Sequence, residues 1–462
     1  MSNGRPPAGR RVTGQWWRAG SIGRRLAGRR ARQLVAALLA VGVVIAVLAV
    51  LNREPALRVS SQAIRGTAEP DGRPVLLDSS LYLPERTPAP AILLAHGFGG
   101  SKAGLDGQAR TLARAGYVVL TYTARGFGAS GGLIHLDSRR YEVADGARLL
   151  DYLQSRPEVA RSGNRPVVGV AGSSYGGALA LMLGATDRRV GAVAADITWN
   201  SLAGSLFPNG AGDSAATAQA AGVFKKLWAG YLFSSGFAPA TAGSSGSAPA
   251  DGAGPAGSSG CGRFAAELCA SYQRAVAGRP DLRLATLLSE SSPAGVLSGM
   301  RAPTLLTQGE QDSLFGLSEA DANARQISAA GAEVYVRWRS GGHDAPGAND
   351  DVTGLQRRFF DSQLRGRGDP GSTFELSQPG AGISSTSGRT VDTTLRATGY
   401  PGVAGARFGS TPVVLHGTPQ RISAPAGGTP AAVSTIPGLG DLVGGVAGLG
   451  RGGAAGRGSQ PG

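Results

Sequence analysis

The chain has 462 residues and a formal net charge of +15, with 42% apolar residues, 74 glycines and 27 prolines. That length admits one large domain plus an added module, and the apolar share is that of a globular protein. The charge does not describe a nucleic-acid surface, because residues 1–32 hold nine arginines and no acid, which leaves +6 for everything after them.

The basic arm (1–32) runs into an expected membrane anchor (33–52), within which Leu34–Leu51 reads "LVAALLAVGVVIAVLAVL" without a charge. Eighteen helical residues reach about 27 Å, against a hydrocarbon core of about 30 Å. Flanking arginines keep the N-terminus in the cytoplasm, so the chain after Asn52 is expected outside it, in a single-pass arrangement. A cleaved signal peptide is the rival reading; no A-x-A pair follows the run.

Beyond the anchor, "ALRVSSQAI" and "RPVLLDSSLYLPE" read as strands around the turn "EPDG". Apolar runs ending in small-residue loops follow: "PAILLAHGFGG", "GYVVLTYTARGFG", "RPVVGVAGSSYGG", "VGAVAADITWN", "APTLLTQGEQD" and "AEVYVRWRSGGHD". Stretches of helical period alternate with them, which predicts a mostly parallel sheet covered on both faces. The expected core is 58–199 and 302–366. It is interrupted by a helical cap (200–301) that carries a low-complexity loop at 237–260. Residues 371–424 read as a β-rich segment, short for a sandwich, and 425–462 as a disordered Gly/Pro/Ala tail. The two cysteines, Cys261 and Cys269, lie eight apart. On a straight helix they would be about 12 Å apart, so the expected disulfide needs a non-helical turn there; otherwise they are two thiols.

In "AGSSYGG", Gly172, Ser174 and Gly176 satisfy G-x-S-x-G, and Ser173 does not fit the spacing. A buried strand precedes the motif and a helix follows, the setting in which a serine is presented on a sharp turn as a nucleophile. The partners then follow in the order Ser, acid, His. Asp312 comes directly after a strand, with Glu310 and Asp196 as weaker candidates, and His343 ends the next strand. Of the four histidines, His96, His135 and His416 fail the order or the position. "AHGFGGSK" supplies a loop whose Phe98 N–H, with Tyr175 N–H, is expected to form an oxyanion hole. Trp199, Phe224 and Trp228 are expected either to make the site apolar on the cap side or simply to pack the cap on the core. No metal-ligand cluster or phosphate loop occurs, so no cofactor and no metal are expected.

With these elements in order, residues 60–366 resemble the α/β-hydrolase superfamily, an eight-stranded, mostly parallel sheet with helices on both faces. "GSSYGG", the "ARGFGASGG" loop (Ala124–Gly132) and the β-rich tail resemble the X-Pro dipeptidyl-peptidase and cocaine esterase-like family. The likeness implies Ser174 as nucleophile, Asp312 as acid and His343 as base, cleaving an ester or an amide such as an X-Pro bond through an acyl-enzyme. Thr123 or Ala124 stands where that family has an aspartate. Two other readings are an acyltransferase acting on the cell envelope and a non-catalytic binding domain on the same scaffold. The expected partners are a small ester or peptide and the membrane, with no nucleic acid.

Overall fold

The computed structural model describes residues 38, 42, 55–208, 222–236, 261–344, 351–383, 390–403, 414 and 416–418. The expected anchor (apart from Leu38 and Gly42), the loop 237–260 and the tail 425–462 lie outside them. Among the described residues no helix is long and apolar enough to cross a membrane. The chain divides into Met1–Pro55 and Ala56–Gly462, and every numbered element belongs to the second unit.

Apart from a two-stranded hairpin at Arg161–Ser162 and Arg165–Pro166, the strands are β1 (Arg58–Arg65), β2 (Leu76–Leu83), β3 (Ala91–Ala95), β4 (Val118–Tyr122), β5 (Val168–Ser173), β6 (Val190–Asp196), β7 (Thr304–Gly309), β8 (Val334–Arg339), β9 (Phe374–Ile383) and β10 (Thr390–Ala397). They form one sheet in the order β1-β2-β4-β3-β5-β6-β7-β8-β9-β10. From β4 to β9 every pairing is parallel, while β1, β2 and β10 pair antiparallel. The eight expected strands are therefore present and the sheet carries two more. Within its described residues the C-terminal segment makes no second sheet: β9 adds to the edge of β8 through Val336–Trp338 and Phe374–Leu376. An open sheet edge offers unpaired N–H and C=O groups, and the returning chain covers it.

Alternate residues of the central strands serve opposite faces, as the period of two requires. Ala91, Leu93 and Ala95 of β3 join α2 (Glu142–Ser155), α3 (Tyr175–Thr186) and α8 (Leu317–Ala329) in one core. Ile92 and Leu94 join α1 (Asp106–Arg114) and α9 (Val352–Arg365) on the other face. Helix α3 is buried from Tyr175 to Ala185, which explains why its sequence is apolar all round rather than striped. Between β6 and β7 lie α4 (Leu202–Leu206), α5 (Lys226–Ser235), α6 (Ala266–Val276) and α7 (Leu282–Glu290). Cys261 and Cys269 are joined, with Cα atoms 5.6 Å apart. The bond is reachable because only Cys269 is helical; Cys261 precedes α6, and Gly262 turns the chain at φ 54°.

The strand order reverses between β4-β3 and β3-β5. The crevice at the carboxyl ends of β3 and β5 is where a sheet of this kind leaves room for a ligand. The loops carrying "HGFGG" and "GSSYGG" both open there.

Candidate active site

Ser174 stands between the end of β5 and the start of α3 with φ 56° and ψ −116°, a left-handed conformation costly for a residue with a Cβ. Its surroundings over-determine it. The Ser174 N–H donates to the Asp196 carbonyl at 2.8 Å, and its own carbonyl accepts from Gly177 N–H at 2.9 Å and Thr198 Oγ1 at 2.8 Å. The motif glycines are steric necessities. A Cβ on Gly172 would overlap the Gly176 backbone, and one on Gly176 would overlap the Ala95 carbonyl at the end of β3.

His343 Nε2 lies 2.8 Å from Ser174 Oγ, and His343 Nδ1 lies 2.7 Å from Asp312 Oδ2. A carboxylate only accepts, so Nδ1 carries the proton and Nε2 is left with its lone pair facing the serine hydroxyl. Asp312 is held from both sides. Oδ1 accepts from Leu314 N–H at 3.0 Å and Phe315 N–H at 2.8 Å, and Oδ2 also accepts from His343 N–H at 3.2 Å. Phe315 packs edge-on to the imidazole at 5.2 Å. The base loop is fastened to the acid loop a second time, because Asp344 accepts from Ser313 N–H at 2.6 Å and Ser313 Oγ at 2.7 Å. This arrangement can draw a proton from Ser174 and carry it to a leaving group.

The other candidates fall elsewhere. Asp196 accepts from Ser173 Oγ at 2.8 Å, Thr307 Oγ1 at 2.6 Å and Arg339 at 2.9 Å, so it ties three strand ends together beneath the site. Glu310 N–H donates to the Arg339 carbonyl, and it is the Asp312 carboxylate that meets His343. His96 is buried and bridges loops: Nδ1 donates to the Gly97 carbonyl at 2.7 Å and Nε2 accepts from Ala124 N–H at 2.9 Å. Burial pushes its pKa down to about 4. Trp199 lies in the core, with its ring 5.0 Å from that of Phe315 and its Nε1–H donating to the Ser291 carbonyl. It packs the cap on the core, the second of the two expectations for it.

Tyr175 opens α3, so its N–H has no acceptor within the helix. Among the described residues the Phe98 N–H makes no hydrogen bond either. A Cβ on Gly97 would come within 3.7 Å of Ser174 Cβ, which sets the "HGFGG" loop beside the nucleophile. The Phe98 ring stands edge-on to Tyr175 at 5.3 Å and parallel to Phe264 of the cap at 6.1 Å. Phe98 and Leu136 also wall a cavity of about 80 Å³ whose cap side includes Phe207, Phe224, Leu232, Phe264 and Leu288.

A buried charge cluster supports the far side of the site. Arg125, from the "ARGFG" loop, is wholly enclosed and grips Asp145 at 2.7 and 2.9 Å and the Thr67 carbonyl at 2.6 Å. Beside it, Glu69 meets His135 at 2.9 Å, and Glu142 accepts from the N–H groups of His135 and Ser138. Burial raises Glu142 to about 7, against the pull of His135 and Arg125. Asp137 is the outlier. It is completely buried, neither carboxyl oxygen has a partner at hydrogen-bond geometry, and burial together with Glu142 pushes its pKa well above the usual range, against the pull of the nearby Tyr175 hydroxyl. Its N–H donates to the Tyr175 hydroxyl at 3.0 Å. Sequence reasoning missed this cluster, Ser313 and Asp344. The "RG" of the loop was a signal for Arg125, but none of the acids forms a local pattern with it.

The sequence model of the X-Pro dipeptidyl-peptidase (S15) family matches residues 71–339, more than half of the chain. A Pseudomonas aeruginosa protein described as uncharacterized is 34% identical over 124 residues, 26% of this chain and 32% of that one. Among solved structures, a CocE/NonD family hydrolase from Staphylococcus aureus aligns at 12% identity and TM-score 0.47, covering 76% of this chain and 60% of that one. An acylaminoacyl peptidase from Pyrococcus horikoshii aligns at 15% identity and TM-score 0.44, covering 71% and 44%. The chain thus spans about a third of the curated relative and between 44% and 60% of these two structures. The fold assignment rests on strand order and site geometry, not on these alignments.

Proposed function

The chain belongs to the X-Pro dipeptidyl-peptidase (S15) family, a family of serine hydrolases, and from that premise we propose that it cleaves an ester or amide bond through an acyl-enzyme on Ser174. The observation that carries the reading is the unbroken chain from Ser174 Oγ to His343 to Asp312, at 2.8 and 2.7 Å. In the first half-reaction His343 Nε2 takes the Ser174 proton as Oγ attacks the carbonyl carbon. Asp312 keeps the imidazole in the tautomer that can accept it and stabilises the imidazolium. The Tyr175 and Phe98 N–H groups face the developing oxyanion, each such donor being worth about 3 kcal/mol in the transition state. His343 then protonates the leaving group, and a water repeats the sequence to release the acyl group.

The cavity beside Phe98 supports a substrate whose carbonyl carries an apolar group, since none of its lining side chains is charged. A hydrophobic ester and a proline-containing peptide both meet that description. We further propose that Leu34–Leu51 anchors the protein in the membrane with the catalytic unit outside the cytoplasm. The uncharged run, the arginine-rich flank and the Cys261–Cys269 disulfide, a bond that persists in oxidising compartments, support this placement.

The test uses the full-length chain with X-Pro p-nitroanilides and p-nitrophenyl esters beside Ser174→Ala. Turnover is expected to fall at least about 10⁴-fold with the thermal transition retained. Undiminished turnover in the variant sinks the assignment. Release of X-Pro dipeptides by the unmodified chain alone establishes the peptidase reading, whereas ester cleavage without it makes the protein an esterase.

A further inference from the structure

The acid loop is grasped from the cap by two side chains. Lys225, the residue before α5, donates from Nζ to the Ser313 carbonyl at 2.7 Å and the Leu314 carbonyl at 2.8 Å. Trp228, within the first turn of α5, donates Nε1–H to Ser313 Oγ at 3.1 Å. Its ring also stands edge-on to the His343 imidazole, centroids 6.0 Å apart. Ser313 and Leu314 directly follow Asp312. Ser313 passes its own donors to Asp344, the neighbour of His343, and the Leu314 N–H donates to the Asp312 carboxylate. Hydrogen bonds therefore run from the cap to the residue beside each member of the acid–base pair.

Two features separate this from ordinary packing of a cap on a core. Both polar anchors converge on one dipeptide, out of all the surface α5 faces. The Lys225 ammonium is also half-buried near three acids, Asp312, Asp344 and Glu319, a placement that costs desolvation unless its bonds are made. Resting on the serine-hydrolase reading, we propose that Lys225 and Trp228 are positioning residues of the triad. They hold the acid loop so that Asp312 and His343 stay aligned on Ser174. The cap then contributes to the chemical step itself as well as to what reaches it.

The experiment is phosphonylation of the full-length chain by a fluorophosphonate. The Ser174 Oγ–P bond forms, the P–F bond breaks, fluoride leaves and His343 takes the serine proton. The variants are Lys225→Met, Lys225→Arg and Trp228→Phe, each with its thermal transition measured. Loss of alignment on the order of 1 Å costs about 100-fold. Lys225→Met is thus expected to lower the limiting rate about 10- to 100-fold without weakening the half-saturating concentration of the reagent. Trp228→Phe, which keeps a ring and deletes one donor, should lower it about 3- to 10-fold. Lys225→Arg, able to span two carbonyls, should recover most of the loss. An unchanged limiting rate in Lys225→Met, or a change confined to half-saturation, overturns the proposal and leaves the cap as an access element. If Lys225→Met does not fold, Trp228→Phe decides by the same criteria. Failure of the unmodified chain to label, or equal labelling of Ser174→Ala, instead removes the serine-hydrolase reading beneath it.

Discussion

The two halves of the proposed catalytic site are held by different physics. The nucleophile half is backbone against backbone: Gly172 lies on Gly176, Gly176 lies on the β3 carbonyl of Ala95, and Ser174 is left in a strained turn with no room to relax. The acid and base half is side chain against loop. Asp312, Ser313, Asp344 and His343 are joined by hydrogen bonds that reach from β7 to β8 and outward to the cap. A half made by steric exclusion tolerates no added atom. A half made by directional bonds tolerates volume changes but not loss of a donor or acceptor. Substitutions in the two halves should therefore fail in different ways, one through folding and the other through chemistry.

The largest effect should come from the second half. Asp312→Asn retains the shape of the side chain but turns an acceptor into a mixed donor, so the imidazole loses the partner that fixes its tautomer. Turnover per folded molecule should drop about 10⁴-fold, beyond the ~1–3 kcal/mol of stability that loss of an acceptor costs at a buried carboxylate. Asp196→Asn is the control that sharpens the point. That carboxylate binds Ser173, Thr307 and Arg339, so the variant should lose about 1–3 kcal/mol of stability and keep most of the per-molecule rate. If Asp196→Asn proves the more damaging to turnover in folded protein, the acid has been misassigned. In the first half, Gly176→Ala forces a methyl into the Ala95 carbonyl and should cost about 3 kcal/mol. Denaturant titration would show this as a lowered midpoint. A midpoint within experimental error of the unmodified protein would mean that β3 and α3 are not locked together as described.

The same division explains what could be read from the sequence. The elbow was legible because steric exclusion leaves a mark, two glycines flanking Ser174 between a strand and a helix. Asp312 and His343 were legible through their order along the chain and their positions after strands. Lys225 and Ser313 were not, since they meet across 88 residues and neither sits in a pattern that points to the other. Trp228 was expected at an apolar site; its place against His343 and Ser313 follows from how α5 docks, which periodicity does not encode. The strands in 371–397 were visible as strands. Their pairing with β8 was not, because strand residues carry no label for the edge they will join.

A second comparison, between two fully buried aspartates, gives the smallest and most specific prediction. Asp312 accepts four N–H bonds, whereas Asp137, also enclosed, accepts none from its surroundings. Burial first, and the adjacent Glu142 second, raise the Asp137 pKa well above the ordinary aspartate value of 3.8. A raised pKa means that the folded state binds a proton the unfolded chain has already released. The stability from this protonated acid is fully present below pH 3.8 and declines as pH rises toward the folded-state value. Asp137→Asn removes the titrating group but retains the size of the side chain. Its thermal transition, followed from pH 4 to pH 8, should decline less than that of the unmodified protein, the gap widening by a few degrees across the range. Glu142, raised to about 7, titrates in both proteins, and its repulsion with an ionised Asp137 is absent from the variant, which widens the gap in the same direction. Parallel curves would mean that Asp137 ionises freely in the folded state and has found a partner inside the loop. The Tyr175 hydroxyl, which accepts from the Asp137 N–H, would then sit beside a charged residue rather than a neutral acid.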